Sequence, residues 1–220
     1  MALNQHWIEE RCHPPNRKSC KTPSHWNVCL LHFNELPFRH IFQHIDGQTA
    51  GPKSFSGTIG QKLICSEKLP VLDYEPIDCS ITDIDRKLLS KGQQYLLDIS
   101  NAIILGNCPE DLANRDPGPL FHSRWLTAAN RMLRLYISSS DPSANLTEIV
   151  GFILKLYMPV WFAIKKSKYF TNGQKHVSQA IQTSRYLSDK LLQVVGPIIK
   201  LNAFFAHAEN VLLAMLVDER

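Results

Sequence analysis

The sequence lacks the segments that would direct a protein into a membrane or across it. Its first residues, Met-Ala-Leu-Asn-Gln-His, contain no apolar core of the kind that a signal peptide needs. No uninterrupted apolar stretch reaches the ~18 residues that span a bilayer, because the longest candidate, residues 149–164, contains Lys155 and Pro159. We therefore expect an intracellular protein with no membrane partner, whose six cysteines are reduced thiols.

The sequence also lacks the motifs that mark common catalytic sites. It has no Gly-x-Ser-x-Gly turn, no phosphate-binding loop ending in Gly-Lys-Ser or Gly-Lys-Thr, and no His-Glu-x-x-His zinc motif. Its acidic residues form no cluster that suggests a two-metal site. We expect no enzyme activity, no catalytic residue and no cofactor.

Charge is moderate and nearly balanced. The 220 residues include 24 Lys and Arg and 20 Asp and Glu, which gives a formal net charge of +4. No run of five basic residues occurs, and the densest cluster, Lys165, Lys166 and Lys168, is typical of a solvated helix end. This balance permits an acidic partner such as DNA without requiring one.

Composition divides the chain into three regions. Residues 1–24 are basic and proline-rich with few apolar residues, which indicates a loop or disordered segment that holds no structural zinc. Residues 25–82 begin with an apolar run that fits a strand or the start of a helix. A helix with Pro37 in its first turn follows, and then a long Gly-, Pro- and Ser-rich connection that either wraps over a surface or is partly mobile, with a short helix near residues 59–64. Residues 83–220 are expected to form a helical domain.

Apolar residues recur at helical spacing throughout the third region. Ser90 and Gln93 form a capping box before a helix that Gly106 ends. Further helices are predicted at about 121–137, 144–165, 177–181, 188–199 and 211–216, and Pro159 and Pro197 are expected to kink or split two of them. The fold class is therefore mainly α, an irregular multi-helix domain with one or two short strands near the N-terminus.

Two short patterns are candidates for a site. Cys29-x-x-His32 has ligand types that suit zinc, but the nearby Cys and His residues match no standard zinc module, so a buried cysteine and a hydrogen-bonded histidine are the favoured interpretation. In His122-Ser123-Arg124-Trp125, the arginine can contact phosphate and the indole can stack on a base. Trp125 can equally belong to the core, which we favour, with Arg124 paired to an acid.

These patterns and their order resemble a known group of proteins. The segments that carry the resemblance are NVCLLHFNELPFRH, DGQTAGPKSFSGTIG, EKLPVLDYEPID, HSRWLTAANRMLRLY, LYMPVWFAIKKS, SRYLSDKLLQVV and NAFFAHAENVLLAML. Over about residues 25–220, the chain is similar to invertebrate proteins that resemble the C-terminal part of hAT-type transposases.

The resemblance implies a fragment of an RNase-H-like transposase. In that family two aspartates and a glutamate bind two divalent metal ions, and a helical domain inserted into the core carries an Arg-Trp pair. The aspartates should precede Cys-x-x-His, but residues 1–24 are too short to hold the missing strands, and Glu209 is the one candidate for the glutamate. The chain therefore looks like a truncated member that keeps the helical region and has no complete active site.

Two functional hypotheses follow. The favoured one is a non-catalytic, transposase-derived protein that can bind nucleic acid or another protein. If it binds nucleic acid, Arg124 and Trp125 are the candidate residues, DNA is the partner and the nucleus is the compartment. The alternative is a helical protein–protein interaction module, recruited by the host, that does not bind nucleic acid. Both exclude a bound metal.

Overall fold

The computed structural model describes residues 30–51, 54–80, 83–119, 125–166, 182–185 and 187–206. Most of these residues are helical, so the prediction of a mainly α fold is confirmed. The elements, in chain order, are α1 (Leu30–Asp46), β1 (Thr49–Gly51), β2 (Ser54–Phe55), α2 (Thr58–Lys62), α3 (Lys91–Leu105), α4 (Glu110–Ala113), α5 (Trp125–Tyr136), α6 (Ala144–Lys166) and α7 (Asp189–Ala206). Short 3₁₀ turns at Leu63–Lys68 and Arg86–Leu88 follow α2 and precede α3.

Helix α1 begins earlier than its proline suggests. The sequence places Pro37 in a first helical turn, but the helix starts at Leu30 and continues through Pro37, so that prediction is wrong. A proline inside a helix costs about 3 kcal/mol. Burial of Phe38, Ile41 and Phe42, each at most 1% exposed, offsets this cost because each side chain contributes about 1.5–3 kcal/mol.

The glycine-rich segment after α1 folds back onto the end of that helix. Strands β1 and β2 pair antiparallel, and the chain returns so that Asp46 caps α2. The two carboxylate oxygens of Asp46 accept hydrogen bonds from the backbone N–H groups of Ile59 at 2.8 Å and Gly60 at 2.6 Å. A β-carbon at Gly57 would lie 1.7 Å from the Asp46 carbonyl oxygen, so only glycine permits this approach.

Residues 69–80, which we call the strap, form neither helix nor strand and lie across the helices. The backbone N–H of Leu72 donates to the carbonyl of Ile137 at 2.9 Å, and the N–H of Ile77 donates to the carbonyl of Ile103 at 3.4 Å. Of the two alternatives for the long connection, the structure therefore has the one in which it wraps over a surface. The short helix expected near residues 59–64 is present as α2 and the 3₁₀ turn that follows it.

Helices α3 and α5 pack against each other below the strap. The capping box of α3 is present, since the Ser90 backbone N–H donates to the Gln93 side chain at 3.0 Å. Gly106 ends α3 with a left-handed φ of 69°, a conformation that glycine adopts without strain. Helix α5 is buried along nearly its whole length, so it is the central element of this layer.

Helix α6 accommodates its proline without a break. Ser143 caps it as predicted, accepting a hydrogen bond from the Leu146 N–H at 3.3 Å. Residues Ile153–Tyr157 form a π-helical turn immediately before the segment that contains Pro159. Proline has no backbone N–H, and the wider π turn accommodates the missing hydrogen bond. The kink or split expected at Pro159 is therefore a π turn within one continuous helix.

One cluster of buried side chains joins the helices. It contains residues from the predicted region 25–82 and from the predicted region 83–220. Among them are Phe42 of α1, Ile99 of α3, Leu133 of α5, Phe152 of α6 and Val195 of α7. Helix α7 contains Pro197 and begins after Ser188, whose hydroxyl accepts from the Leu191 N–H at 3.4 Å. The predicted segment 1–24 and the predicted helices near 177–181 and 211–216 lie outside the described residues.

Candidate functional site

Trp125 lies in an aromatic cluster at the start of α5. Its side chain is 7% exposed. The indole meets Phe38 edge-on, with ring centroids 5.4 Å apart and planes at 77°, and lies 5.7 Å from the ring of Phe42. Stacking of a nucleic-acid base on Trp125 would require the indole to leave this cluster. Arg124, the other predicted nucleic-acid-binding residue, lies outside the described residues.

Arg131, on the same helix, is buried and links α5 to other parts of the chain, a role that the sequence did not indicate. Its residue is 6% exposed, and its guanidinium contacts Glu67 at 2.6 Å. The same guanidinium donates hydrogen bonds to the backbone carbonyls of Leu63 at 2.7 Å and Gly118 at 3.0 Å. Arg131 therefore ties the turn before the strap to the middle of α5.

Arg134 makes the next connection, one helical turn further on. It is 2% exposed, and its Nη2 donates to the carbonyls of Leu69 at 2.7 Å and Ala113 at 2.9 Å. Tyr95 of α3 is buried beside this charge. Burial raises the pKa of the Tyr95 phenol, and the Arg134 charge opposes that rise. The spacing of Arg131 and Arg134 on an otherwise apolar helix face was the available signal for both residues.

The strap packs one side chain in every three against the helices. Val71, Tyr74 and Ile77 are half-buried against the core, and most residues between them are exposed. A period of three is typical of a polyproline II conformation. The Tyr74 hydroxyl donates to the Ala102 carbonyl at 2.9 Å, and burial raises the pKa of Tyr74 to about 12, with a smaller contribution from Cys108.

The far end of the strap meets the π turn of α6. The Cys79 thiol donates to the Leu154 carbonyl at 3.3 Å, and Asn34 of α1 donates to the Tyr157 carbonyl at 2.9 Å. A π turn displaces backbone carbonyls from their helical partners, and these two side chains supply donors. Burial raises the pKa of the Cys79 thiol, which keeps it in the protonated, donating form.

Three carboxylates are engaged in holding the fold. Asp46 caps α2, and Glu67 pairs with Arg131. Asp98 of α3 lies between Arg86 at 2.8 Å and Arg115 at 2.5 Å. Partial burial pushes the pKa of Asp98 up, but the hydrogen bonds and charges of the two arginines outweigh it and leave this pKa below its ordinary value.

The Cys-x-x-His pattern falls largely outside the part of the chain that the structure describes. Cys29 precedes the first described residue, and of His32 only the backbone in α1 is described. Among the described residues, no group of three or more His, Cys, Asp and Glu side chains is arranged to hold a metal ion. The roles of Cys29 and His32 therefore stay predictions.

Helix α6 is long and apolar enough to be a candidate membrane span, which the sequence pattern did not indicate. It has 23 residues, and its most apolar window has a mean hydropathy of 1.5. Of that window, 61% is buried inside the protein, as in the core helix of a globular domain. The helix is weak evidence for a membrane partner, and the absence of such a partner stays a prediction.

Comparison of the chain with known proteins identified no relative. No protein-family model, no curated protein and no solved structure matches the chain.

Proposed function

We propose that the chain is a non-catalytic helical module that binds another protein. Derivation from a hAT-type transposase remains part of this proposal and rests on the sequence resemblance. The observation that carries the choice of a protein partner is the position of Trp125. The sequence left two roles open for this residue, a stacking platform for a base or a core side chain, and favoured the core. Its indole fills the contact between α1 and α5, which supports the core role.

The charge of the described body supports the same choice. Fifteen of the 24 basic residues and fifteen of the 20 acidic residues lie in the described ranges, so this part of the chain has a formal net charge of zero. Binding to a nucleic acid depends on basic side chains that neutralise phosphates. The excess of positive charge comes from residues outside the described ranges, including Arg124.

The use of the carboxylates supports a non-catalytic role. General acid–base or two-metal chemistry needs carboxylates that converge on a substrate. Asp46, Glu67 and Asp98 are instead bound to backbone N–H groups or to arginines of the same chain. Their arrangement serves the fold.

A pair of measurements tests this function. First, fluorescence anisotropy with labelled single-stranded and duplex DNA should show no saturable binding by the full chain at low salt. Second, the tagged full chain should be cross-linked in cells, treated with nuclease and purified. Protein partners that survive the nuclease support the proposal. Saturable, salt-dependent DNA binding that Arg124→Ala weakens would contradict it, as would the loss of all partners with nuclease.

A further inference from the structure

The strap has an outward-facing surface that alternates with its buried residues. Because Val71, Tyr74 and Ile77 face the helices, the intervening residues form outward rows. One row contains Leu72, Glu75 and Asp78, all of them exposed. At the ~3.1 Å rise per residue of a polyproline II helix, Leu72 to Asp78 would span about 19 Å, a row long enough to contact about three turns of an α-helix.

Exposed leucines accompany these rows. Leu69 is 36% exposed and Leu72 is 39% exposed, and Leu105, the last residue of α3, is 66% exposed. We assign Leu105 to the same surface because it directly precedes Gly106, which lies against the strap: a β-carbon there would be 3.5 Å from the Pro76 side chain. Apolar side chains grouped on a surface favour contact with another protein.

The acidic side chains of the strap form no ion pair with any basic side chain among the described residues. Asp73, Glu75 and Asp78 are exposed, and the ion pairs found within the described ranges involve other carboxylates. Lys155 approaches this end of the strap, where its charge acts on the Cys79 thiol. The strap surface is thus apolar and acidic, whereas the described residues outside the strap have 15 basic and 12 acidic side chains, a formal net charge of +3.

We propose that this surface, defined by Leu69, Leu72, Asp73, Glu75, Asp78 and Leu105, binds a basic amphipathic helix of a partner protein. Leucine-sized side chains of such a helix would cover the three leucines and remove their apolar surface from water. Its Lys and Arg residues would face the three carboxylates and would steer the encounter. This inference rests on the proposed function, because it names the partner class of the interaction module.

A synthetic peptide tests the surface directly. The probe is a fluorescein-labelled amphipathic helix of about 18 residues built from Leu and Lys, with a Leu–Glu peptide of the same pattern as its counterpart. Fluorescence anisotropy with the full chain should show binding of the Leu–Lys peptide that weakens as salt is raised, and much weaker binding of the Leu–Glu peptide.

Matched variants locate the binding. The double substitution Leu72→Ser/Leu105→Ser and the triple substitution Asp73→Asn/Glu75→Gln/Asp78→Asn should each weaken binding by about tenfold or more. Leu88→Ser is the control, because Leu88 is 64% exposed but lies before α3, at the opposite end of that helix from Leu105. It should bind as the wild type does.

The outcomes separate this inference from the proposed function. All three variants change exposed side chains, and far-UV circular dichroism with thermal melting verifies that each stays folded. The inference is overturned if the wild type does not bind the Leu–Lys peptide, if it binds the Leu–Glu peptide equally well, or if the strap variants bind like Leu88→Ser. Each of these results leaves the proposed function standing at another surface, whereas saturable DNA binding would remove the proposed function itself.

Discussion

The guanidinium of Arg131 lies 2.6 Å from the carboxylate of Glu67, across 64 residues of sequence. The same nitrogen also donates to the Leu63 carbonyl at 2.7 Å. Through this one side chain, the central helix α5 fixes the turn from which the strap departs. The position of the strap therefore depends on the buried charge of Arg131.

Substitution of Arg131 should be strongly destabilising. Removing one partner of a buried ion pair leaves the other partner and its carbonyl neighbours without donors, so Arg131→Ala should lower the free energy of unfolding by about 3 kcal/mol. Glu67→Gln keeps an oxygen acceptor on a side chain that is 25% exposed, and should cost less. Urea denaturation measures both. An Arg131→Ala protein as stable as wild type would contradict the assigned role.

Asp46 should behave as a helix cap. Asp46→Ala removes the acceptors of two backbone N–H groups at the start of α2 and should cost about 1–2 kcal/mol of unfolding free energy. Asp46→Asn keeps one oxygen and should cost less. The control is Asp73→Ala, an exposed strap residue, which should leave the denaturation midpoint nearly unchanged. Equal effects of the two alanine substitutions would show that the cap is unimportant.

Tyr74 predicts a loss of stability at alkaline pH. Its pKa is raised in the folded chain to about 12 from an ordinary value of 10.0. The resulting stabilisation is fully present below pH 10 and is lost as pH rises through the folded pKa near 12. The difference between near-ultraviolet tyrosinate titrations of wild type and Tyr74→Phe isolates this group, because burial also raises the pKa of Tyr95 and Tyr136. Ionisation of Tyr74 near pH 10 would exclude the buried contact.

The local signals in the sequence were sufficient for the helix ends. Ser90 with Gln93, Ser143 and Gly106 were predicted as caps and occur as caps, because a cap needs only residues within one turn of the helix. Pro37 misled the prediction of α1 for the opposite reason. Its local cost is outweighed by burial against distant helices, and no local pattern reports that burial.

The long-range contacts could not be read from the sequence. Arg134 donates to the carbonyl of Leu69, 65 residues away. Every residue has a backbone carbonyl, so the residue types do not show which carbonyl accepts this hydrogen bond. The strap had a usable signal, since Val71, Tyr74 and Ile77 recur every third residue beside two prolines. A period of three matches neither an α-helix nor a β-strand, so the patterns of those two elements do not predict it.

The stability of Trp125→Ala tests the central claim most directly, since the choice of a protein partner over a nucleic acid depends on the position of this indole. Trp125 contacts Phe38 and Phe42 and is 7% exposed, so its truncation should cost about 3–5 kcal/mol, which is most of the stability of an ordinary domain. The measurement is the unfolding free energy and melting temperature of Trp125→Ala against wild type. A large loss of stability is the predicted result, and an unchanged melting temperature would contradict the account.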